Sequence, residues 1–228
     1  MAERVVAITG AFGALGRAVA QAAAGQGVRL ALIDAAPTAP QGLPEGALAL
    51  PGVDLADPTA AERAVAQVVE RFGRLDALVN VAGAFRWETL EGGSLATWDL
   101  LYKVNVATAV NMSKAALPHL SKSGAGRIVN VGAGGGLKAA AGMGAYAASK
   151  SGVHRLTEAL AEETKGKGVT VNAVLPSIID TPANRADMPD ADFGKWVKPA
   201  ELAAVILFLA SPEAGAITGA LLPVTGGV

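Results

Sequence analysis

Tyr146 and Lys150 are the pair of side chains in this sequence that is best suited to chemistry. Four positions separate them, so on a helix they would lie one turn apart on the same face. A nearby ammonium favours the phenolate, and we therefore expect the pKa of Tyr146 to fall below its ordinary value of about 10. Such a group can exchange a proton with a substrate near neutral pH. The spacing alone also fits a surface tyrosine beside an exposed lysine.

A glycine-rich turn near the start of the chain predicts a nucleotide site. It follows a short apolar strand at residues 4–9 and precedes an alanine-rich helical stretch that begins at Arg17. Glycines in this place permit a tight turn and let backbone N–H groups approach a pyrophosphate at the helix N-terminus. The alternative is a tight turn without a ligand. The cofactor contacts that we expect from this turn are Gly10, Phe12, Gly13, Ala14, Leu15 and Gly16.

An acid at the end of the second predicted strand, residues 28–34, bears on the choice of cofactor. Asp34 follows Gly10 at about the 20-residue offset that is typical of a ribose-binding carboxylate. A carboxylate accepts hydrogen bonds from ribose hydroxyls and repels a 2′-phosphate, and Ala35 and Ala36 provide no arginine for that phosphate. We therefore expect NAD(H) to be preferred, with NADP(H) as the alternative. Asp34 could instead cap a turn.

Strand-like and helix-like segments alternate along the rest of the chain. The later strands are expected at residues 47–50, 75–80, 127–131, 169–175 and 220–224, and the later helices at 58–72, 95–120, 199–210 and from around Tyr146 to about 165. This alternation predicts an α/β fold: one Rossmann-like, doubly wound domain over residues 1–228, with a parallel sheet of about seven strands and helices on both faces. Ligands of such sheets bind beyond the carboxyl ends of the strands, where Asp34, Asp54 and Asn80 would lie.

Composition argues against several classes of partner. The 228 residues carry a formal net charge of −1, which gives neither the basic stripe of a nucleic-acid-binding protein nor a polybasic membrane surface. Cysteine is absent, and two distant histidines suggest no metal cluster. A strand-like run begins at Arg4, so we expect no signal peptide before it. The apolar run 202–210 is far shorter than the ~20 residues of a membrane span. We expect a soluble cytoplasmic protein with a small-molecule substrate and with no metal, nucleic-acid or membrane partner.

Together, these motifs resemble the short-chain dehydrogenase/reductase family over essentially the full length of the chain. The resemblance implies that Tyr146 donates or accepts the substrate proton, and that Lys150 binds the nicotinamide ribose and lowers the pKa of the tyrosine. It also implies that Asn105 holds a water that links Lys150 to solvent. The matching residues are Thr9-Gly10-x-x-Gly13-x-x-Gly16, Asp54-Leu55, Asn80-x-Ala82-Gly83, Asn105, Tyr146-x-x-x-Lys150 and Pro176-x-x-x-x-Thr181.

The same resemblance extends the set of expected cofactor contacts. It implies that Asp54 faces the adenine amino group, and that Thr181 and the backbone at Ile179 hold the nicotinamide carboxamide. Beyond the glycine-rich turn, the expected contacts are Asp34, Asp54, Leu55, Asn80, Ala82, Gly83, Tyr146, Lys150, Pro176, Ile179 and Thr181.

One position departs from the family pattern. The family normally has a serine thirteen residues before the tyrosine, where its hydroxyl binds the substrate carbonyl, and here that position is Ala133. Loss of one preorganised donor costs roughly 10²–10³ in rate, so ordinary ketone reduction is in doubt. Ser177, which stands in place of the family's usual glycine after Pro176, is either a substitute hydroxyl or a turn residue.

Within the family, the quinoid dihydropteridine reductases offer a resemblance that accounts for Ala133. The similar stretches are residues 10–16, 132–133, 142–143 and 175–196, and these enzymes also lack the serine. They reduce a quinonoid pterin with NADH, and hydride addition to such a ring gives a delocalised anion that has less need of a dedicated donor. Aromatic side chains would suit a flat ring, and the loop Ala84-Phe85-Arg86-Trp87 offers two of them for stacking. The substrate contacts that we predict are Ala133, Trp87, Phe193 and Trp196.

Three functions remain open from the sequence. The first is an NADH-dependent reductase of pterin-like or other conjugated C=N or C=O substrates. The second is a general carbonyl reductase or alcohol dehydrogenase, including the 3-oxoacyl thioester type. The third is a nucleotide-binding or scaffold protein without catalytic activity.

Two further predictions concern assembly and motion. We expect a homodimer or homotetramer, because small residues allow helices of two subunits to pack closely and the family pairs these helices across a two-fold axis. We also expect residues 180–198 to form a mobile lid over the nicotinamide. The small outer positions on the two helices concerned are Ala107, Ala109, Ala147, Ala148 and Ala159.

Overall fold

The protein is built on one parallel sheet, seen in a computed structural model that describes residues 3–227. Within these residues the sheet has seven strands in the order β3-β2-β1-β4-β5-β6-β7. The predicted α/β doubly wound fold is therefore confirmed. The strands are β1 Val5–Thr9, β2 Arg29–Ile33, β3 Leu48–Leu50, β4 Ala77–Asn80, β5 Gly126–Val131, β6 Val169–Pro176 and β7 Leu221–Val224.

Helices cover both faces of the sheet, which is why most strands read as continuous apolar runs. One core packs β-strand residues such as Ile8 against α1 and α7 through Val19 and Ile206. The other packs the opposite face against α2, α4 and α5, with Met112 fully buried at its centre. The helices are α1 Ala14–Ala24, α2 Pro58–Phe72, α3 Leu95–Leu101, α4 Thr108–Lys122, α5 Gly144–Glu163, α6 Pro182–Asp187 and α7 Pro199–Leu209.

Local signals place the ends of α2 where the sequence predicts them. The Asp57 side chain accepts a hydrogen bond from the backbone N–H of Thr59 at 2.9 Å, and Pro58 takes the first helical position. At the other end Gly73 adopts a left-handed conformation with φ of 77°, and its N–H donates to Val69 O at 2.7 Å.

The long helix predicted over residues 95–120 is interrupted. A π-helical segment, Tyr102–Ala107, separates α3 from α4, and Asn105 lies within it. Such segments are rare and are frequent at functional sites, but apolar periodicity does not reveal them. The segment 180–198 also differs from a simple loop, because it contains α6 and a short 3₁₀ turn at Phe193–Lys195.

Candidate active site

A cavity of about 1470 Å³ lies beyond the carboxyl ends of the strands. This is the edge at which parallel α/β sheets bind their ligands. The structure brings to it most of the residues that the sequence predicts, and they come from loops far apart in the chain. The predicted residues that line the cavity are Gly10, Gly13, Ala14, Leu15, Gly16, Asp34, Asp54, Leu55, Ala82, Gly83, Trp87, Ala133, Tyr146, Lys150, Pro176, Ile179 and Thr181.

The glycine-rich turn forms a cradle that other side chains would fill. Gly10 has a φ of +60°, and a Cβ added there would lie 2.8 Å from the Cα of Ala82. A Cβ added at Gly16 would lie 2.2 Å from the carbonyl oxygen of Gly10. Real Cβ atoms do not approach so closely, so both positions require glycine. The turn thus places bare backbone at the start of α1, which suits a pyrophosphate.

Asp34 faces the cavity and also fixes the glycine-rich turn. One carboxylate oxygen accepts a hydrogen bond from the N–H of Phe12 and the other from the N–H of Ala36, each at 2.9 Å. A carboxylate oxygen has a second lone pair, so ribose hydroxyls can still donate to it. The predicted turn role and the predicted ribose role are therefore compatible. Phe12 itself packs against the core, and its side chain does not reach the cavity within the described residues.

Tyr146 and Lys150 lie one turn apart on α5, as the spacing predicts. The Nζ of Lys150 donates to Val131 O at 2.9 Å and lies 5.9 Å from the centroid of the Tyr146 ring. Burial raises the pKa of Tyr146 to about 12 and lowers the pKa of Lys150 to about 8. The expected fall in the tyrosine pKa is wrong for the chain by itself, because desolvation disfavours both charged forms.

Asn105 joins two parts of the site through side-chain hydrogen bonds. Its side-chain oxygen accepts from the N–H of Ala84 at 2.8 Å, while its Nδ2 donates to Ala84 O at 3.0 Å and to Ser149 Oγ at 2.9 Å. The residue is buried and ties the loop after β4 to α5. A Cβ at Gly83 would lie 2.7 Å from its oxygen, so this glycine permits the close approach. The water expected at Asn105 stays a prediction.

Asn80 holds the sheet together and does not border the cavity within the described part of the chain. Its Nδ2 donates to Asn130 Oδ1 at 2.8 Å and to Ser113 Oγ at 3.2 Å. Asn130 lies opposite it on β5, so the contact joins two neighbouring strands. The motif residue Asn80 therefore joins two strands next to the loop that follows β4, and its predicted cofactor contact stays a prediction.

The wall around Tyr146 is apolar and partly aromatic. The ring of Phe85 meets the Tyr146 ring edge to face, with centroids 4.9 Å apart. Trp87 is 62% exposed, and its Nε1 donates to Ala141 O at 3.0 Å. Ala133 completes this wall without a hydroxyl, and the hydroxyl of Ser177 is engaged by Thr225 O at 2.7 Å. These contacts favour the turn role of Ser177.

Two predicted substrate residues are placed elsewhere. Phe193 and Trp196 pack on each other with centroids 4.8 Å apart, and Trp196 is only 4% exposed. The Cζ atom of Arg185 lies 4.6 Å from the centroid of the Phe193 ring. Among the described residues, the cavity wall from this segment comes instead from Thr181, α6 and Met188. That the segment moves as a lid stays a prediction.

Several residues that line the site were missed from the sequence. Arg86 belongs to the loop 84–87, in which only the aromatic side chains were predicted to suit stacking on a ring, and of these both Phe85 and Trp87 line the cavity. Met143 and Met188 carry no signal of their own, because methionine is a common filler of apolar walls. The missed lining residues include Arg86, Met143, Asn184 and Met188.

The chain belongs to the short chain dehydrogenase family, which it matches over residues 4–192. It is 34% identical to the 3-oxoacyl-[acyl-carrier-protein] reductase FabG of Thermotoga maritima over 99% of this chain and 97% of the relative. It is 36% identical to the meso-2,3-butanediol dehydrogenase of Serratia marcescens, over 99% and 94% of the two chains. It is also 32% identical to the acetoacetyl-CoA reductase of Allochromatium vinosum, over 99% and 98%.

These similarities define the protein as an NAD(P)-dependent oxidoreductase. The alternative of a non-catalytic scaffold is thereby set aside. None of the three relatives above is named for a pteridine substrate. Over residues 3–227, no helix has the length and apolarity needed to span a membrane.

Proposed function

We propose that this protein uses NADH to reduce a pterin-like or other conjugated C=N or C=O substrate. The observation that carries the proposal is the wall beside Tyr146, which presents Ala133 in place of a hydroxyl donor together with the rings of Phe85 and Trp87. A conjugated ring spreads the charge that hydride addition creates, so it needs no donor at one oxygen. Flat rings also pack well against aromatic side chains.

NAD(H) fits the residues present at the glycine-rich turn. Gly10 and Gly16 leave the backbone open where a pyrophosphate would lie, and Asp34 and Asp54 offer carboxylates at the far part of the cavity. Asp34 with no adjacent arginine favours NAD(H) over NADP(H). When bound, the cofactor supplies the hydride of the reaction.

Tyr146 is the proposed proton donor to the reduced substrate. Its raised pKa keeps the phenol protonated at neutral pH, ready to donate. Lys150, buried behind it, stabilises the phenolate that remains and contributes to the ribose site. Asn105 acts indirectly, because its hydrogen bonds hold the loop Gly83–Ala84 against α5.

One assay tests this proposal. NADH oxidation is measured with a quinonoid dihydropterin, a panel of ketones and 3-oxoacyl thioesters at matched concentrations. We expect turnover of the conjugated ring to exceed that of every simple ketone. Turnover of ketones or thioesters alone would contradict the proposal.

The names of the relatives favour a second candidate function. Two of the three act, by name, on 3-oxoacyl or acetoacetyl thioesters, and they match nearly the whole chain. The protein would then be a carbonyl or 3-oxoacyl thioester reductase that works without the serine. Activity with acetoacetyl thioester and none with a dihydropterin would establish this alternative.

Assembly and location belong to the proposal as well. We infer a homodimer or homotetramer in the cytoplasm. Of the predicted outer positions, Ala148 and Ala159 are exposed and Ala107 is partly exposed, whereas Ala109 and Ala147 are buried within the subunit. Light scattering at micromolar concentration tests this inference, and a monomer would contradict it.

A further inference from the structure

His154 is a buried polar residue to which the proposed reaction assigns no role. It lies on α5 one turn after Lys150, and its side chain is fully buried. Its Nε2 is 3.4 Å from the backbone nitrogen of Ala133, in a geometry in which the imidazole accepts from the amide N–H. Its Nδ1 is buried and has no hydrogen-bond partner within residues 3–227. Within the described residues, the imidazole is therefore anchored through Nε2 alone.

The glycine run after β5 makes the space for this imidazole. A Cβ added at Gly132 would lie 2.6 Å from the Nε2 of His154, and one added at Gly136 would lie 2.6 Å from its Cε1. A side chain at either position would therefore displace the ring. Ala133, between them, keeps its side chain and lines the cavity.

Helix α5 holds the loop after β5 at two successive points. Lys150 donates to Val131 O at 2.9 Å, and His154 accepts from the N–H of Ala133 two residues later. The backbone is thus fixed on both sides of Gly132, beside the wall that a substrate must contact to reach Tyr146. A serine could bind the substrate through its own hydroxyl, but an alanine acts only through its position.

We propose that His154 is a positioning residue that holds the Ala133 backbone, as the neutral Nδ1–H tautomer, and so sets the wall facing Tyr146. This inference rests on the proposed role of Tyr146 as proton donor. A neutral imidazole has one donor and one acceptor nitrogen, so acceptance at Nε2 places the proton on Nδ1. Burial, with added repulsion from Arg155 and Lys150, lowers the pKa of His154 and keeps the ring neutral.

The tautomer can be measured without any substrate. The chain has two histidines, so a His119→Gln variant leaves a single imidazole in the nitrogen-15 NMR spectrum. At neutral pH we expect the Nδ1–H tautomer. An Nε2–H tautomer or an imidazolium would overturn the proposal, because neither form can accept the Ala133 N–H at Nε2.

Kinetics then separate positioning from simple packing. His154→Leu keeps an apolar side chain of similar size but removes the acceptor, whereas His154→Gln returns an oxygen near the place of Nε2. We expect the leucine variant to lower kcat about tenfold with the KM for NADH unchanged, and the glutamine variant to recover most of that loss. A kcat in His154→Leu within twofold of the parent, or no recovery in a folded His154→Gln, would reject the proposal.

Two further measurements keep the outcome clear. Gly132→Ala places a methyl group against the imidazole and should lower kcat to the same extent as His154→Leu. It therefore tests the proposal even if His154→Leu fails to fold. Full activity of Gly132→Ala would count against the proposal. Tyr146→Phe is assayed in parallel. Full activity there would reject the proton role of Tyr146 itself, while the tautomer would still decide whether His154 holds Ala133.

Discussion

The cavity has two halves that are built in different ways. The half proposed to bind the cofactor, called the cofactor half below, consists of the glycine-rich turn with Asp34 and Asp54, and its shape is set by close contacts of backbone atoms, including those of Ala82 beside Gly10. The substrate half gathers Phe85, Ala133 and Tyr146 from three separate parts of the chain, and its shape is set by side chains. Glycine spacing marks the first half in the sequence, because only glycine fits such close backbone contacts, while no comparable motif marks the side chains of the second half.

Replacing Tyr146 should separate the two halves most strongly. We expect Tyr146→Phe to lower kcat by about 10²–10⁴-fold, because among the described residues the wall of Phe85, Trp87 and Ala133 beside it offers no hydroxyl in its place. The Kd for NADH should stay within a factor of about two, since the phenol lies apart from the glycine-rich turn. Steady-state kinetics and cofactor titration measure both quantities, with Tyr102→Phe on the surface as the matched control. A large loss of NADH affinity would mean that the two halves are not independent.

Restoring a hydroxyl in the substrate half should show which substrate class the site serves. If the substrate is a conjugated ring, Ala133→Ser should leave its turnover unchanged, and this is the result we expect. If the protein is instead a ketone reductase that lacks one donor, the same change should raise ketone turnover by roughly 10²–10³-fold. Relative kcat/KM on a pterin and on ketones decides between these outcomes, with Ser177→Ala as a variant in which a hydroxyl is removed from the turn.

Lys150 lies between the halves, and its burial should be measurable as stability. Its pKa in the folded protein is lowered from 10.5 to about 8, so at pH 7 the folded state holds a charge that the unfolded state accommodates more easily. We expect Lys150→Met to raise the free energy of unfolding by about 3 kcal/mol at pH 7 while abolishing activity.

The pH dependence of that gain has a definite sign. Between pH 8 and pH 10.5 the folded state loses the lysine proton before the unfolded state does, so the parent becomes more stable as the pH rises. The advantage of the methionine variant should therefore be full below pH 8 and should vanish above pH 10.5. Denaturant unfolding at several pH values tests this, with the exposed Lys114→Met as control. A difference independent of pH would contradict the assignment to the lysine charge.

The smallest expected change concerns the cofactor half alone. The pair Asp34→Ala and Ala35→Arg should shift the ratio of kcat/KM for NADH and NADPH toward NADPH by about tenfold, equivalent to roughly 1.4 kcal/mol. Because Asp34 also binds the N–H of Phe12, we expect KM to rise for both cofactors. Asp57→Ala, which removes an acid outside the cavity, should leave the ratio unaltered. Equal kcat/KM for the two cofactors in the parent would contradict the predicted preference.

The same contrast explains what could be predicted from the sequence. The order of strands and helices, the cap at Asp57 and the cradle around Gly10 follow from local patterns, and the structure confirms them. Phe193 and Trp196 were expected at the substrate because aromatic side chains suit a flat ring. Their burial against each other depends on how residues 180–198 fold, which no local pattern specifies.

The tyrosine pKa shows a second limit of sequence spacing. An interval of four residues places Tyr146 and Lys150 on one helix face, but it does not say where the ammonium points. In the structure Lys150 reaches Val131 O, and burial governs both groups. Similarly, Ala109 and Ala147 were predicted at outer helical positions but are buried, because the packing of neighbouring elements decides which face of a helix is covered.

The π-helical segment Tyr102–Ala107 has a consequence for how this gene can change in length. A regular helix turns by about 100° per residue, so one residue gained or lost there would rotate all that follows by that angle. At present the wider turn lets Asn105 reach Ala84 while Leu101 before it and Met112 after it both stay in the core. A single deletion there would disrupt either the hydrogen bond between Asn105 and Ala84 or the burial of Leu101 and Met112 in the core. Insertions and deletions should therefore be far better tolerated in the exposed loop 36–46 than in this segment.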